Sequence, residues 1–264
     1  MKKHTFYLLL LIFCFQLVPA TVYSQQNYES QQFFQIMTYH FDSAEQQQKT
    51  DRFLEQAYLP ALHRLDIDPV GVFKPHKTDT AAALKTYLLI PFKSLDEFAS
   101  LPGRLNGDSQ YLAEGEDYLE APHDEPPYHK ITSTLLRAFE YAPTLMAADL
   151  DNPKTERVYE LRSYESATEL LNRNKVDMFN AGGEVEIFDR LDFNAIFYGN
   201  VISGNKMPNL MYMTTFENME SRNAHWDAFR NDARWEELSA MEKYQDNVSN
   251  SDIYFLRAAS YSDL

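Results

Sequence analysis

The chain has 264 residues, with 24 Lys and Arg against 39 Asp and Glu, a formal charge of −15 at neutral pH, and one cysteine. That acidic excess repels the phosphates of nucleic acid and of anionic lipid, so neither is an expected partner. One cysteine excludes an intrachain disulfide framework, and the histidines show no spacing typical of a metal site, so the fold must rest on an apolar core and no metal is expected.

Residues 1–24 read as a signal peptide: Lys2 and Lys3 form a basic start, and Phe6 to Val18 an apolar core too short for an ordinary membrane span. Val22-Tyr23-Ser24 before Gln25 supplies one cleavage site, and Val18-Pro19-Ala20 a second. Cys14 follows Phe13 inside the apolar core, where a lipoprotein site wants a small residue, so no lipid anchor is expected. The expectation is an exported protein, periplasmic or secreted, with no membrane attachment after cleavage.

Phe33 to Phe41 reads as a strand and residues 44–64 as an amphipathic helix with Phe53, Ala57 and Ala61 on one face. Pro69 to Phe73 is a short strand and Lys85 to Phe92 a longer one. Leu95 to Leu101 begins a helix that Pro102-Gly103 interrupts, Leu105 to Leu119 continues helical, and Ile131 to Tyr141 closes a β-α-β-β-α-β order. Residues 143–156 lose periodicity and carry Asp149, Asp151, Asn152 and Pro153, the composition of a linker. The order then restarts with a strand over 157–164, a helix over 167–181 ended by Gly182-Gly183, and a strand over 194–202. Leu210 to Phe216 scarcely alternates, which predicts a strand covered on both faces. Asn218 is a helix cap, and Met219, Trp226 and Phe229 recur at helical spacing as a buried stripe. Trp235, just after Asp232, anchors the bend into the next helix, and Ile253 to Tyr261 closes the series.

The halves also match in residues. An offset of 124 sets Phe92 on Phe216, Leu95 on Met219, Asp108 on Asp232 and Tyr111 on Trp235. This implies a duplication: a first ferredoxin-like half over 25–142, a linker over 143–156 and a second half over 157–264. Such a unit carries helices on one face of its sheet only, and the second copy is the natural cover for the other. The expected class is α+β, two tandem ferredoxin-like units packed sheet to sheet as an intrachain α/β barrel.

VYELRSY (158–164), NAIFYGNVISGNKMPNLMYMTTF (194–216) and RNAHWDAFRNDARW (222–235) resemble the NIPSNAP family. The resemblance covers Arg157 to Tyr261 and implies the same α+β barrel. The first half is a degenerate copy, with Asp108-Ser109-Gln110-Tyr111 where the second has Asp232-Ala233-Arg234-Trp235. Similar barrels include heme-degrading and cofactor-free monooxygenases alongside members with no shown activity, so the resemblance speaks for architecture more than chemistry.

No nucleophile elbow, P-loop or dinucleotide fingerprint occurs. His225 is the candidate catalytic residue, as a proton carrier or heme ligand, against the plainer reading that it edges the helix stripe. Tyr164, Tyr198, Tyr212, Trp226, Arg230 and Trp235 are the candidate ligand-binding residues, because rings with one polar group suit a small-molecule site. Arg162 and Arg190 are expected to pair with Glu160 and Asp189 at the surface. Asn247-Val248-Ser249 fits a glycosylation sequon.

The pocket is expected in the second half, between the strands of Val201 and Tyr212 and the helix from Arg222 to Trp235. Its occupant is expected to be a small apolar or aromatic molecule, with no cofactor. An oxygenase-like enzyme using His225, with heme or cofactor-free, is the alternative. Association with further copies of the chain stays open.

Overall fold

The computed structural model describes residues 31–78 and 84–264, so the expected signal peptide lies outside the described residues. Eight strands close into an antiparallel barrel: β1 (Phe33–His40), β2 (Gly71–Pro75), β3 (Lys85–Phe92), β4 (Lys130–Ala138), β5 (Val158–Glu165), β6 (Ala195–Ser203), β7 (Asn209–Phe216) and β8 (Asn250–Ala258). The ring order is β1-β3-β2-β8-β5-β7-β6-β4, so each half contributes a ferredoxin-like sheet, β4-β1-β3-β2 and β8-β5-β7-β6. The two sheets are not merely stacked. They hydrogen-bond at both edges, through Phe73–Ala258 to Pro75–Leu256 on β2 and β8 and through Leu135–Ser203 to Ala138–Gly199 on β4 and β6. Closure leaves none of the eight strands with an open edge.

The barrel wall separates three apolar cores. Phe34, Ile36, Phe73, Leu89, Leu161, Phe197 and Met213 fill the interior. Phe53, Leu54, Leu62 and Tyr111 pack under the first half's helices, and Phe179, Phe188, Phe193, Trp226 and Phe229 under the second's. A strand with lumen on one face and helices on the other has no wet side, and all of β7 is accordingly buried.

The helices repeat their local chemistry between halves. α1 (Ala44–Phe53) runs through a π turn (Leu54–Tyr58) into α2 (Leu59–Arg64), and α3 (Leu95–Asn106), α4 (Ser109–Glu114) and α5 (Glu116–Leu119) follow β3. The second half has α6 (Glu169–Phe179), α7 (Glu184–Arg190), α8 (Met219–Arg230) and α9 (Ala233–Ala240). Ser43 and Thr168 cap α1 and α6, and Ser94 and Asn218 cap α3 and α8, each accepting from a first-turn N–H. Asp108 and Asp232 each accept two N–H bonds at the starts of α4 and α9. They also pair with Arg64 and Arg190, the last residues of α2 and α7 respectively.

Three expectations need correction. Pro102-Gly103 does not interrupt α3, because a proline removes one bond while buried Leu101 and Leu105 hold the stripe on the sheet; the chain turns instead at Gly107-Asp108. The unforeseen α7 starts at Gly183, whose φ of 95° suits glycine, and a Cβ on Gly182 would lie 2.4 Å from the Met178 carbonyl oxygen. Residues 143–156 do more than link: Leu145 and Ala148 pack on the barrel's interior core and cover one end of it, and Met146 N–H donates to the Ile196 carbonyl. The sequon asparagine, Asn247, is buried and donates to Asn174, so it is used within the fold.

Candidate functional site

Alternation along β5 sends Tyr159 and Leu161 into the barrel and Glu160, Arg162 and Tyr164 toward the helices. Glu160 is 0% exposed, and a buried carboxylate must be paired. Arg222 from α8 donates to both its oxygens at 2.7 Å, Arg162 Nε donates at 2.7 Å, and the Trp226 indole N–H donates at 2.8 Å. Burial pushes this carboxyl up, but the Arg222 hydrogen bonds and the charges of both arginines outweigh that and hold it below the usual range.

Two guanidinium groups against one carboxylate leave a surplus positive charge, and it faces a hollow. The Arg162 guanidinium lies 3.7 Å from the centroid of Trp226, a cation–π contact, and donates to the Tyr164 hydroxyl at 2.7 Å. The Tyr164 and Tyr212 hydroxyls are 3.0 Å apart. Burial, and then neighbouring Tyr164, push the Tyr212 phenol well above its ordinary value, so it stays neutral. On the other wall, Lys175 of α6 pairs with Glu184 of α7 at 2.8 Å, their side chains 6% and 4% exposed. Burial raises the Glu184 carboxyl in spite of Lys175, so it keeps its proton to higher pH than a solvated glutamate.

These groups surround a cavity of about 390 Å³ between β5, β7 and the helices α6 to α9, walled by Trp226, Phe229 and Trp235. Larger hollows of about 740 and 590 Å³ flank Tyr141 beside the linker segment, but neither contains an indole or the buried ion pairs. In the first half, Met37 and Leu88 hold the register positions of Arg162 and Tyr212. There Phe53 stacks on Tyr118 at 3.8 Å, and a hollow of about 60 Å³ remains beside them.

Of the sequence-predicted residues, Tyr164, Tyr212, Trp226, Arg230 and Trp235 line this one cavity. Tyr198 does not; it is buried behind Tyr212, ring centroids 5.7 Å apart, and faces the hollow near Tyr141. His225 stands on another side of α8, against Phe193 and Phe216, with Nδ1 2.7 Å from the Ser221 carbonyl oxygen. One residue is about 100° of helix, enough to turn His225 away from the wall that Trp226 occupies. Val201 points into the barrel, and although β5 and β6 both flank Tyr212, it is β5, with Arg162 and Tyr164, that lines the cavity.

The Arg162–Glu160 pair is buried, not superficial, and Arg190 pairs with Asp232 rather than Asp189. Sequence reading missed Glu160 as an anchor, Arg222 as its partner, and the Lys175–Glu184 pair. A signal was present for the first: Glu160, Arg162 and Tyr164 alternate with Tyr159 and Leu161 along a strand. Lys175 and Glu184 offered none, since α7 itself was unforeseen. Among the described residues, no group of His, Cys, Asp or Glu is placed to hold a metal ion, and no helix is long and apolar enough to cross a membrane.

Residues 159–263, the stretch from β5 through β8, match the NIPSNAP family model. No curated protein matches the chain in sequence. Among solved structures, a candidate monooxygenase from Lactobacillus acidophilus shares the fold at 13% identity, covering 86% of this chain and 94% of that one with a TM-score of 0.55. A second candidate monooxygenase, from Fusobacterium nucleatum, is 7% identical over 86% and 92% of the two chains, with a TM-score of 0.53. An anthrone oxidase-like protein is 11% identical over 88% and 93%, with a TM-score of 0.50. Identities this low speak for the barrel and not for a shared reaction. The chain carries a NIPSNAP domain over residues 159–263, and that domain holds the cavity.

Proposed function

We propose that the second half binds a small planar aromatic molecule bearing an acidic group, in the cavity between β5, β7 and the helices. The observation that carries this reading is that both tryptophans of the chain wall one cavity, with Arg162 stacked on Trp226 and facing into it. Indoles and Phe229 supply flat apolar contact, Arg162 and Arg230 favour an anion, and the Tyr164–Tyr212 hydroxyls fix its orientation. About 390 Å³ is within the range of small-molecule sites. The oxygenase alternative draws on likeness of fold and on His225; His225 does not line this cavity, so no proton transfer or heme ligation is assigned to it. We also infer export, from the basic start and apolar core; intact mass of the secreted protein beginning at Gln25 or Thr21 supports it, and an uncleaved cytoplasmic chain would remove it.

Because both indoles sit here, tryptophan fluorescence reports on this site and no other. Titrating the protein with benzoate and naphthoate, beside neutral aromatic alcohols of equal size, should give saturable quenching that favours the carboxylates. Tyr164→Phe keeps the ring and loses the hydroxyl between Arg162 and Tyr212, and should weaken carboxylate binding about tenfold without changing the fold. Equal response to acids and alcohols would remove the acidic group from the proposal, and no saturable quenching by any of them would remove the site.

A further inference from the structure

The two ends of the barrel differ. One is covered by Leu145 and Ala148 of the linker segment and by Leu264. The other, where β1 and β5 end, is open. There Ile36, Thr38 and His40 follow one another along the inner face of β1, and the wall passes from apolar to polar within two rungs. The register sets His40 opposite both Lys85 on β3 and Lys130 on β4, so three basic side chains form one row at the rim. They line a cavity of about 180 Å³ with Thr132, Ser163 and Asn209.

In a chain of charge −15 this row is unexpected. On the facing rim Lys206 pairs with both Glu165 and Asp252, and Glu165 also accepts from Asn250, so three lysines face two acids and the mouth keeps a net positive charge among the described residues. Lys85 and Lys130 take part in no ion pair among the described residues. Burial lowers the His40 imidazole, and Lys85, Lys130 and His129 lower it further, the signature of a positive local field. Asn209, 1% exposed, uses its Nδ2 to reach the Ser163 hydroxyl at 2.8 Å and leaves its Oδ1 buried without a donor. A buried carbonyl oxygen with no donor is costly unless a ligand or water supplies one.

We propose that this open mouth binds a compact oxyanion, a phosphate or small dicarboxylate, through Lys85 and Lys130, with the Thr132 and Ser163 hydroxyls and Asn209 as polar partners. The anion supplies the counter-charge that the rim lacks. A protonated oxygen, as in hydrogen phosphate, meets the orphaned Asn209 oxygen. The site lies inside the barrel and shares no residue with the aromatic cavity, so it stands whether or not that cavity binds acids.

The test is calorimetric titration of the full chain at low ionic strength with inorganic phosphate and, separately, with succinate. Saturable binding of at least one is expected, and the tighter of the two identifies the source chemistry. Lys85→Met and Lys130→Met should each weaken it about tenfold, the size of one charge-assisted contact. The double variant Lys85→Arg/Lys130→Arg should retain it, which separates lost charge from lost fold. Lys85→Met/Lys130→Met should abolish it, while Lys93→Met/Lys243→Met, the same loss of two charges outside the mouth, should leave it alone. Tryptophan fluorescence should not respond to either anion. Binding that survives loss of both rim lysines, binding that falls equally in the flank variant, or no saturable binding of either anion would overturn the proposal.

Discussion

Glu160 shows how much depends on one side chain. It is enclosed and ties β5 to α8 through Arg222 and Trp226 while positioning Arg162 at the cavity. Removing one partner of a buried ion pair costs more than the pair contributes, because the remaining charge is left unpaired. Glu160→Gln should therefore destabilise the protein by about 3 kcal/mol in urea denaturation, with both arginines left facing a neutral amide. The pH dependence has a definite sign. Since the folded carboxyl lies below its ordinary value, its stabilisation is present above about pH 4.3 and is lost as pH falls from there through the folded value. Wild type should lose stability across that acid window more steeply than Glu160→Gln, as read from urea midpoints at several pH values. At the same scale, His225→Ala should leave ligand quenching of tryptophan unchanged, because the ring packs on Phe193 and Phe216 outside the cavity. A clear loss of binding in that variant would return His225 to the site.

At the scale of elements, the two halves share devices more faithfully than residues. Asp108 and Asp232 each cap a helix and hold an arginine from the end of the helix two before it, although the residue three places on is Tyr111 in one half and Trp235 in the other. Loss of a cap of this type costs about 1 kcal/mol, so Asp108→Ala and Asp232→Ala should destabilise by similar amounts. Only Asp232→Ala should also change ligand quenching, because α9 carries Trp235. The positions that differ lie between such caps. Met37 and Leu88 make the first half's sheet face apolar, and the Phe53–Tyr118 stack occupies the space under its helices. Covering a sheet requires apolar volume of about the right size rather than particular groups, so that copy could drift. Caps and turns are legible in sequence because they act over three or four residues. The Lys175–Glu184 pair was not legible, since it needs α6 and α7 folded back across Gly182-Gly183 before its charges meet.

At the scale of the whole molecule, the barrel is closed by two short seams, β2 to β8 and β4 to β6, that join one half to the other. Residues 157–264 expressed alone would expose the edges of β6 and β8, and unpaired edges recruit partners. That fragment should run as a dimer in analytical ultracentrifugation, one copy standing in for the missing half; a well-folded monomer would show that the seams are dispensable. The sequence by itself determined the strand order and the helices other than α7, the repetition at a fixed offset, the caps and the apolar stripes. Each of these follows from periodicity or short-range hydrogen bonding, which is written along the chain. Tyr212, Trp226, Arg230 and Trp235 were also legible as neighbours, because β7, α8 and α9 follow one another along the chain, whereas Tyr164 joins them only through the pairing of β5 with β7. Tertiary structure alone decided that the sheets join at their edges, that Glu160 is enclosed by two arginines and an indole, and that His225 faces away from the cavity. It also set Lys85 and Lys130 on either side of His40 at the open mouth. Those outcomes depend on barrel closure and on helix rotation against the sheet, which bring together side chains far apart in the chain and point neighbouring ones in different directions.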